Sequence, residues 1–233
     1  MATALVIANR GDDDPGLVGE HLATRDYHLS TLTREAGEPW PAPDDTDLVV
    51  VLGSEWSVYW DSVQAQVERE CSFVAAAVEA DVPVLGICFG AQLVAAALGG
   101  TVTPADHLEL GWLDIEPLAD VLLNDVTIEP GPWFQWHGDT FTLPPDAQLL
   151  ARSDAGPQAF RLGSALALQF HPEVTPGIVS RWAASDPGPL EQAGLDAATI
   201  VARTASEQAR VRAATARLVD RFLYGEVATR GTR

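Results

Sequence analysis

The sequence predicts an α/β fold: an open, mostly parallel sheet with helices on both faces, a small antiparallel extension and C-terminal helices. Three observations carry this. Apolar runs such as "DLVVVLG" (47–53) are continuous instead of alternating, as strands buried on both faces of a parallel sheet are. Up to about residue 100 these runs take turns with stretches at helical spacing, the pattern of βαβ units. From 101 to 170 the texture changes to short strands and turns. A length of 233 residues with 47% hydrophobic content suits one large domain, read here as residues 1–233 with a core over about 1–185 and a C-terminal helical segment over about 186–224.

The elements follow in order. "TALVIA" (3–8) reads as a buried strand, then an acidic turn "GDDDPG" and an amphipathic stretch from Leu17 to Arg25. "YHLSTLT" alternates as a second strand, and 47–53 is the third. Val63, Val67, Phe73, Val74 and Val78 lie near helical spacing, which predicts a helix over about 63–80. "VPVLGIC" is the next strand, and "GAQLVAAALGG" a helix ending on Gly99 and Gly100. The strands expected beyond it are "LGWLDIEPL", "VTIEP", "QLLARS", "QAFRL" and "ALALQF", forming an antiparallel extension or edge meander. "TPGIVSRWAAS" and residues 196–224 read as helices, the second with Ile200, Val201, Val211, Leu218 and Phe222 on its packing face. The Pro- and Gly-rich "SDPGPLEQAG" between them reads as a loop.

Composition removes several function classes. The net charge is −19 and every basic residue is Arg, so no Lys serves as a Schiff base and no basic surface awaits nucleic acid. No apolar stretch approaches the 18 or so residues of a membrane span. Two cysteines make no disulfide framework and no signal pattern precedes the first apolar run, so a reducing cytoplasm is expected.

One of those cysteines carries the chemistry. "GICFG" (86–90) sends a strand directly into a helix through a turn of the nucleophile-elbow type. Glycines at 86 and 90 relieve the crowding of such a turn. At a helix N-terminus the Cys88 thiolate is favoured, and the Phe89 N–H is placed to stabilise an oxyanion. Downstream, "QFHPE" ends an apolar strand on His171. Pro172 biases His171 toward extended backbone, where positions i and i+2 project to one side, so Glu173 is placed to orient the imidazole. Nucleophile, base and orienting carboxylate are the parts of a cysteine triad.

"GICFGAQ" followed by "HPE" resembles the class I, triad-type glutamine amidotransferases, whose fold is flavodoxin-like. Among them the likeness is to stand-alone proteins related to the amidotransferase domain of GMP synthase. It extends over roughly 1–185 and is carried further by "VLGSEWSVYWD", "ELGW" and "QWHGDTF". The resemblance implies that Cys88 is the nucleophile, His171 the base and acid, and Glu173 its orienting residue. It also implies that Gln92 contacts bound glutamine and that Trp136, Gly138 and Asp139 in "WHGD" belong to the segment holding its α-amino and α-carboxyl groups, while His137 shapes the glutamine pocket or packs against Trp133 and Trp136. The family has two consecutive glycines before the first oxyanion contact; here the pair is Gly53-Ser54, strained if the backbone there has positive φ. Either residue is a candidate for the second oxyanion N–H.

No cofactor and no metal are expected, because His137 and Asp139 in "HGD" match no strong metal motif. His107 and Glu109 before "LGW" read as a solvated loop or as substrate contacts, His21 and His28 as surface or half-buried residues, Cys71 as core, and Trp56 and Trp60 as an entrance wall. With no P-loop or adenylating motif in the chain, ammonia would go to a separate synthase subunit. A free-standing γ-glutamyl hydrolase or peptidase shares every catalytic residue with that reading. A catalytically silent binding module on the same fold is the alternative of another class; an intact Cys88, His171 and Glu173 speak against it.

Overall fold

The structure is a computed structural model describing residues 1–37, 39–118 and 126–225. Within them lie nine strands, β1 (Ala2–Ala8), β2 (Tyr27–Thr33), β3 (Leu48–Val51), β4 (Val84–Ile87), β5 (Val102–Pro117), β6 (Gly131–Phe141), β7 (Gln148–Ser153), β8 (Gly156–Leu162) and β9 (Ala165–Leu168). Six α-helices accompany them: α1 (Gly16–Thr24), α2 (Gln64–Glu79), α3 (Phe89–Ala97), α4 (Pro176–Ser185), α5 (Gly188–Ala193) and α6 (Ala197–Tyr224). All strands join one sheet in the order β2-β1-β3-β4-β9-β8-β7-β5-β6. From β2 to β9 neighbours are parallel, and from β9 through β8, β7, β5 and β6 they are antiparallel.

The parallel half is buried on both faces, and its side chains divide between two cores. Ala4, Val6, Ala8, Leu85 and Ile87 pack with Leu17, Val18 and Leu22 of α1, Ile178 and Val179 of α4, and Val211 and Leu218 of α6. Leu5, Ile7, Val49, Val51 and Val84 point the other way, onto Val67, Phe73 and Val74 of α2 and Leu93 and Val94 of α3. This is the period-2 projection of a strand between two apolar layers. The C-terminal ends of β3, β4 and β9 therefore meet at one rim, where open α/β sheets bind ligands.

Three expectations need correction. "SDPGPLEQAG" is not a loop throughout: α5 occupies Gly188–Ala193, with a proline in its first turn and Gly194 as a left-handed C-cap at φ 65°, so Pro and Gly mark the ends of a helix. "VTIEP" makes no strand; Val126 and Ile128 are buried in chain without regular secondary structure outside the sheet. "GPWFQWHGDTF" was not among the expected strands, yet it is β6, paired along its length with a β5 that starts well before "LGWLDIEPL". No helix among the described residues is long and apolar enough to cross a membrane.

Candidate active site

Cys88 is the residue between β4 and α3, with φ 53° and ψ −109°, one of four described non-glycine residues at positive φ. Such a conformation costs about 1–3 kcal/mol and persists only when its surroundings enforce it. Cys88 N–H donates to Leu168 O on β9 at 2.8 Å, and Cys88 O accepts from Gln92 N at 3.1 Å. The first turn of α3 lies so close to β3 that a Cβ on Gly90 would sit 2.0 Å from Val51 O, and one on Gly86 would sit 2.6 Å from Gly90 O. Both glycines of the elbow are thus required by close approach. Phe89 opens α3, so its N–H has no intrahelical acceptor and stays available beside the Cys88 thiol.

His171 reaches the same rim from β9. Its N–H donates to Phe134 O on β6 at 2.8 Å, and its Nδ1 lies 2.7 Å from Glu173 Oε1, both side chains being buried. Glu173 Oε2 is buried without a partner among the described residues, so His171 is the carboxylate's single polar neighbour. Burial pulls the His171 pKa down, but the charges of Glu173 and Cys88 and their hydrogen bonds outweigh it, and the imidazolium is held well above the usual value of 6.5. Trp182 of α4 packs edge-on to the imidazole with centroids 4.9 Å apart.

The segment after β9 is clamped from outside it. Leu17 N donates to Glu173 O at 2.8 Å, the buried Thr215 hydroxyl of α6 to Pro172 O at 2.8 Å, and Gln208 Nε2 to Val174 O at 3.3 Å. The C-terminal helix, which had no role in the sequence reading, therefore braces the His-Pro-Glu turn.

Gly53 faces both Cys88 and His171: a Cβ there would lie 3.3 Å from His171 Cε1 and 3.7 Å from Cys88 Cβ. Neither Gly53 nor Ser54 has positive φ, so serine at the second position carries no backbone strain. Its hydroxyl accepts from Trp56 N at 3.0 Å and closes its own turn.

The remaining expected residues sit on one side of Cys88. The Cys88 thiol lies 3.8 Å from Trp136 O. Asp139 accepts from Ser57 Oγ at 2.6 Å and from Tyr59 OH at 2.8 Å, which ties β6 to the chain after Gly53, and Gly138 is exposed between Asp139 and His137. Gln92 is buried, with its Nε2 3.2 Å from Gln169 Oε1 and 3.5 Å from Asp139 O, so it supports the segment from beneath. His137 is buried, its Nδ1 2.9 Å from Asp139 O and its Nε2 3.0 Å from Glu109. Glu109 is therefore no solvated-loop residue: strand pairing opposite His137 buries it, Gln158 donates to it, and although burial pushes its carboxyl up, His137 holds it below the usual range. His107 is exposed.

Other readings sort similarly. Cys71 is half-buried on α2, where burial and the nearby Glu70 and Glu68 push its thiol up to about 12, as in a core cysteine. His21 bonds Asp220 of α6 at 2.8 Å, and His28 is exposed. Among the described residues no group of three or more His, Cys, Asp or Glu side chains is arranged to hold a metal ion. A cleft of about 430 Å³ opens off Cys88 and His171, and its aromatic walls are Trp136 and Trp182, whereas Trp56 packs on the core under α2 and α3 and Trp60 is largely exposed. Sequence reasoning missed Trp182 as a site residue; it sits one helix beyond the His-Pro-Glu turn on a stretch that reads only as amphipathic.

Curated relatives include the glutamine-hydrolysing GMP synthases of Bordetella parapertussis, 38% identical over 139 residues covering 54% of this chain and 25% of the relative, and of Thermomicrobium roseum, 43% identical over 99 residues covering 41% and 19%. The chain thus spans a quarter or less of the length of these relatives. Among solved structures, a glutamine amidotransferase from Thermotoga maritima superposes with a TM-score of 0.87 at 27% identity, over 96% of this chain and 98% of that one. One from Methylobacillus flagellatus gives 0.83 at 26% identity, over 96% and 94%. The family described as glutamine amidotransferase class-I matches residues 42–181, more than half of the chain and a span that holds the elbow, the Trp136–Asp139 segment and the His-Pro-Glu turn, and the chain belongs to that family.

Proposed function

We propose that this chain hydrolyses the side-chain amide of glutamine through Cys88, His171 and Glu173. The observation that carries the proposal is a cysteine forced to φ 53° at a helix N-terminus, beside an imidazole whose far nitrogen is 2.7 Å from a buried carboxylate. The Cys88 proton passes to His171, and the thiolate attacks the amide carbon to form the C–S bond. The developing oxyanion is met by the Phe89 N–H and by an N–H of the Gly53-Ser54 turn. His171 then gives its proton to the nitrogen as the C–N bond breaks and ammonia leaves. Water, deprotonated by His171, cleaves the γ-glutamyl thioester and releases glutamate. Trp136, His137, Gly138 and Asp139 form the segment on which the amino-acid end of the substrate rests, with Gln92 of α3 contacting the glutamine from beside it. The ammonia passes to a separate synthase, a role that fits relatives named as glutamine-hydrolysing GMP synthases.

One observation favours a second reading. The cleft beside Cys88 is far larger than ammonia needs and carries Arg10, Arg181, Glu35 and Asp186 along its walls, so it has room for the amine part of a γ-glutamyl conjugate. Glutamate release from glutamine and from a set of γ-glutamyl amides and peptides, with Cys88→Ala as control, separates the two. Glutamine turnover lost in the variant supports the proposal; peptide turnover well above glutamine selects the free-standing hydrolase. Release that survives in Cys88→Ala rejects both.

A further inference from the structure

Arg34 follows β2 and is fully buried, and nothing in the chemistry above uses it. Its guanidinium is nevertheless saturated at the rim of the sheet. Nε donates to both oxygens of Glu70, at 3.1 and 2.9 Å. Nη1 donates to Asn9 Oδ1 at 2.5 Å and to Gly53 O at 3.1 Å, and Nη2 to Ile7 O at 3.4 Å and Leu52 O at 2.6 Å. The guanidinium carbon also lies 4.8 Å from the centre of the Phe89 ring. A single side chain thus holds two successive carbonyls of the turn that faces Cys88 and touches the residue that opens α3.

The consequence follows from peptide planarity. In a trans peptide the N–H points opposite to the C=O. With Leu52 O and Gly53 O both drawn onto the guanidinium, the N–H groups of Gly53 and Ser54 are turned away from it, toward the side where Gly53 meets Cys88 and His171. Among the described residues neither N–H donates a hydrogen bond, so both are free for a ligand. We propose that Arg34 is a positioning residue that presets the oxyanion site, fixing the Gly53-Ser54 turn by its carbonyls and Phe89 by its ring. A planar fork suits this task; a lysine ammonium, a point charge with three donors, cannot span both carbonyls and Glu70 together.

The role presupposes amide hydrolysis at Cys88, so the test pairs a reaction that needs an oxyanion site with one that does not. Acyl transfer is followed with glutamine and with γ-glutamyl p-nitroanilide, whose leaving group needs little proton donation. Alkylation of Cys88 by iodoacetamide, a direct displacement with no oxyanion, is followed against pH. The variants are Arg34→Lys and the double substitution Arg34→Met with Glu70→Leu, which removes both partners of the buried ion pair so that no unpaired charge is left, with folding checked by circular dichroism and urea midpoint. Both are expected to lower kcat for acyl transfer by about 10²–10³-fold, as loss of one oxyanion donor does, with KM little changed. The alkylation rate and its pH profile should stay at wild-type values. A folded double variant with kcat within about fivefold of wild type overturns the proposal, and so does a parallel fall in alkylation, which would make Arg34 a general structural support. A wild type that cleaves the anilide but not glutamine refutes the glutaminase reading while leaving the Arg34 comparison to be read on the anilide. A wild type that cleaves neither overturns both.

Discussion

The two halves of the proposed triad are held in different ways. Cys88 takes its geometry from close packing at its own turn: Gly86 against Gly90 O and Gly90 against Val51 O of β3 leave one path for the chain, which holds φ at 53°. His171 and Glu173 lie on unstrained backbone, and their geometry comes from remote groups: Phe134 O on β6, Leu17 N on α1, and Thr215 and Gln208 on α6. A nucleophile must be lifted above the sheet at one angle, which only a tight local turn does, whereas a base need only be brought within reach, which any set of hydrogen bonds can do. The contrast predicts where each half will fail.

The largest effect is expected on the local side. In Gly90→Ala the new Cβ would lie 2.0 Å from Val51 O, a backbone atom of a central strand with nowhere to move, so α3 must be pushed off β3. A loss of about 3 kcal/mol or more follows, read from the urea midpoint, together with loss of Cys88 reactivity. A variant with wild-type midpoint and reactivity would show that contact with β3 does not set the elbow.

The same contrast explains what was legible in the sequence. The elbow was visible because glycine, cysteine and glycine stand together, and the alternating strands and helices around it gave the parallel half. β6 was not: "GPWFQWHGDTF" opens on Gly and Pro, shows no clean alternation, and becomes a strand only through pairing with β5 and the bridge from Phe134 to His171. Glu109 was assigned to a loop for the same reason, since its partners His137 and Gln158 are distant in sequence. Arg34 sits in the polar stretch "TLTREAGE", where an arginine reads as surface; only the convergence of Asn9, Leu52, Gly53 and Glu70 buries it. The likeness to the amidotransferases named residues expected around glutamine, but not that Gln92 would be engaged with Gln169 and Asp139.

On the base side, Glu173→Gln removes the charge that most raises the His171 pKa and leaves the burial that lowers it. The imidazolium is then lost at lower pH, which a ring-proton titration by NMR reads directly. Stability has a matching sign. A raised folded pKa gives His171 a contribution fully present below its unfolded value of about 6.5 and lost as pH climbs through the raised value. The advantage of wild type over the variant in urea midpoint should therefore shrink as pH rises above 6.5. Activity is expected to fall on the order of 10³-fold, because the imidazole loses the partner that fixes its tautomer. An unchanged titration would mean that Cys88, not Glu173, sets the charge of His171.

The smallest effect isolates the strain itself. Cys88→Ala and Cys88→Gly both remove the thiol and its contact with Trp136 O, so neither is expected to turn over substrate and they differ only at Cβ. Alanine must hold φ 53° and ψ −109° against its Cβ, at about 1–3 kcal/mol, and glycine adopts that conformation freely. Glycine also gains about 0.5–1 kcal/mol of freedom in the unfolded chain, which opposes the gain. The glycine variant should emerge more stable than the alanine variant by about 1 kcal/mol. Equal midpoints would mean that the elbow stores no strain in the cysteine, and that close packing of Gly86 and Gly90 alone accounts for the shape of the turn.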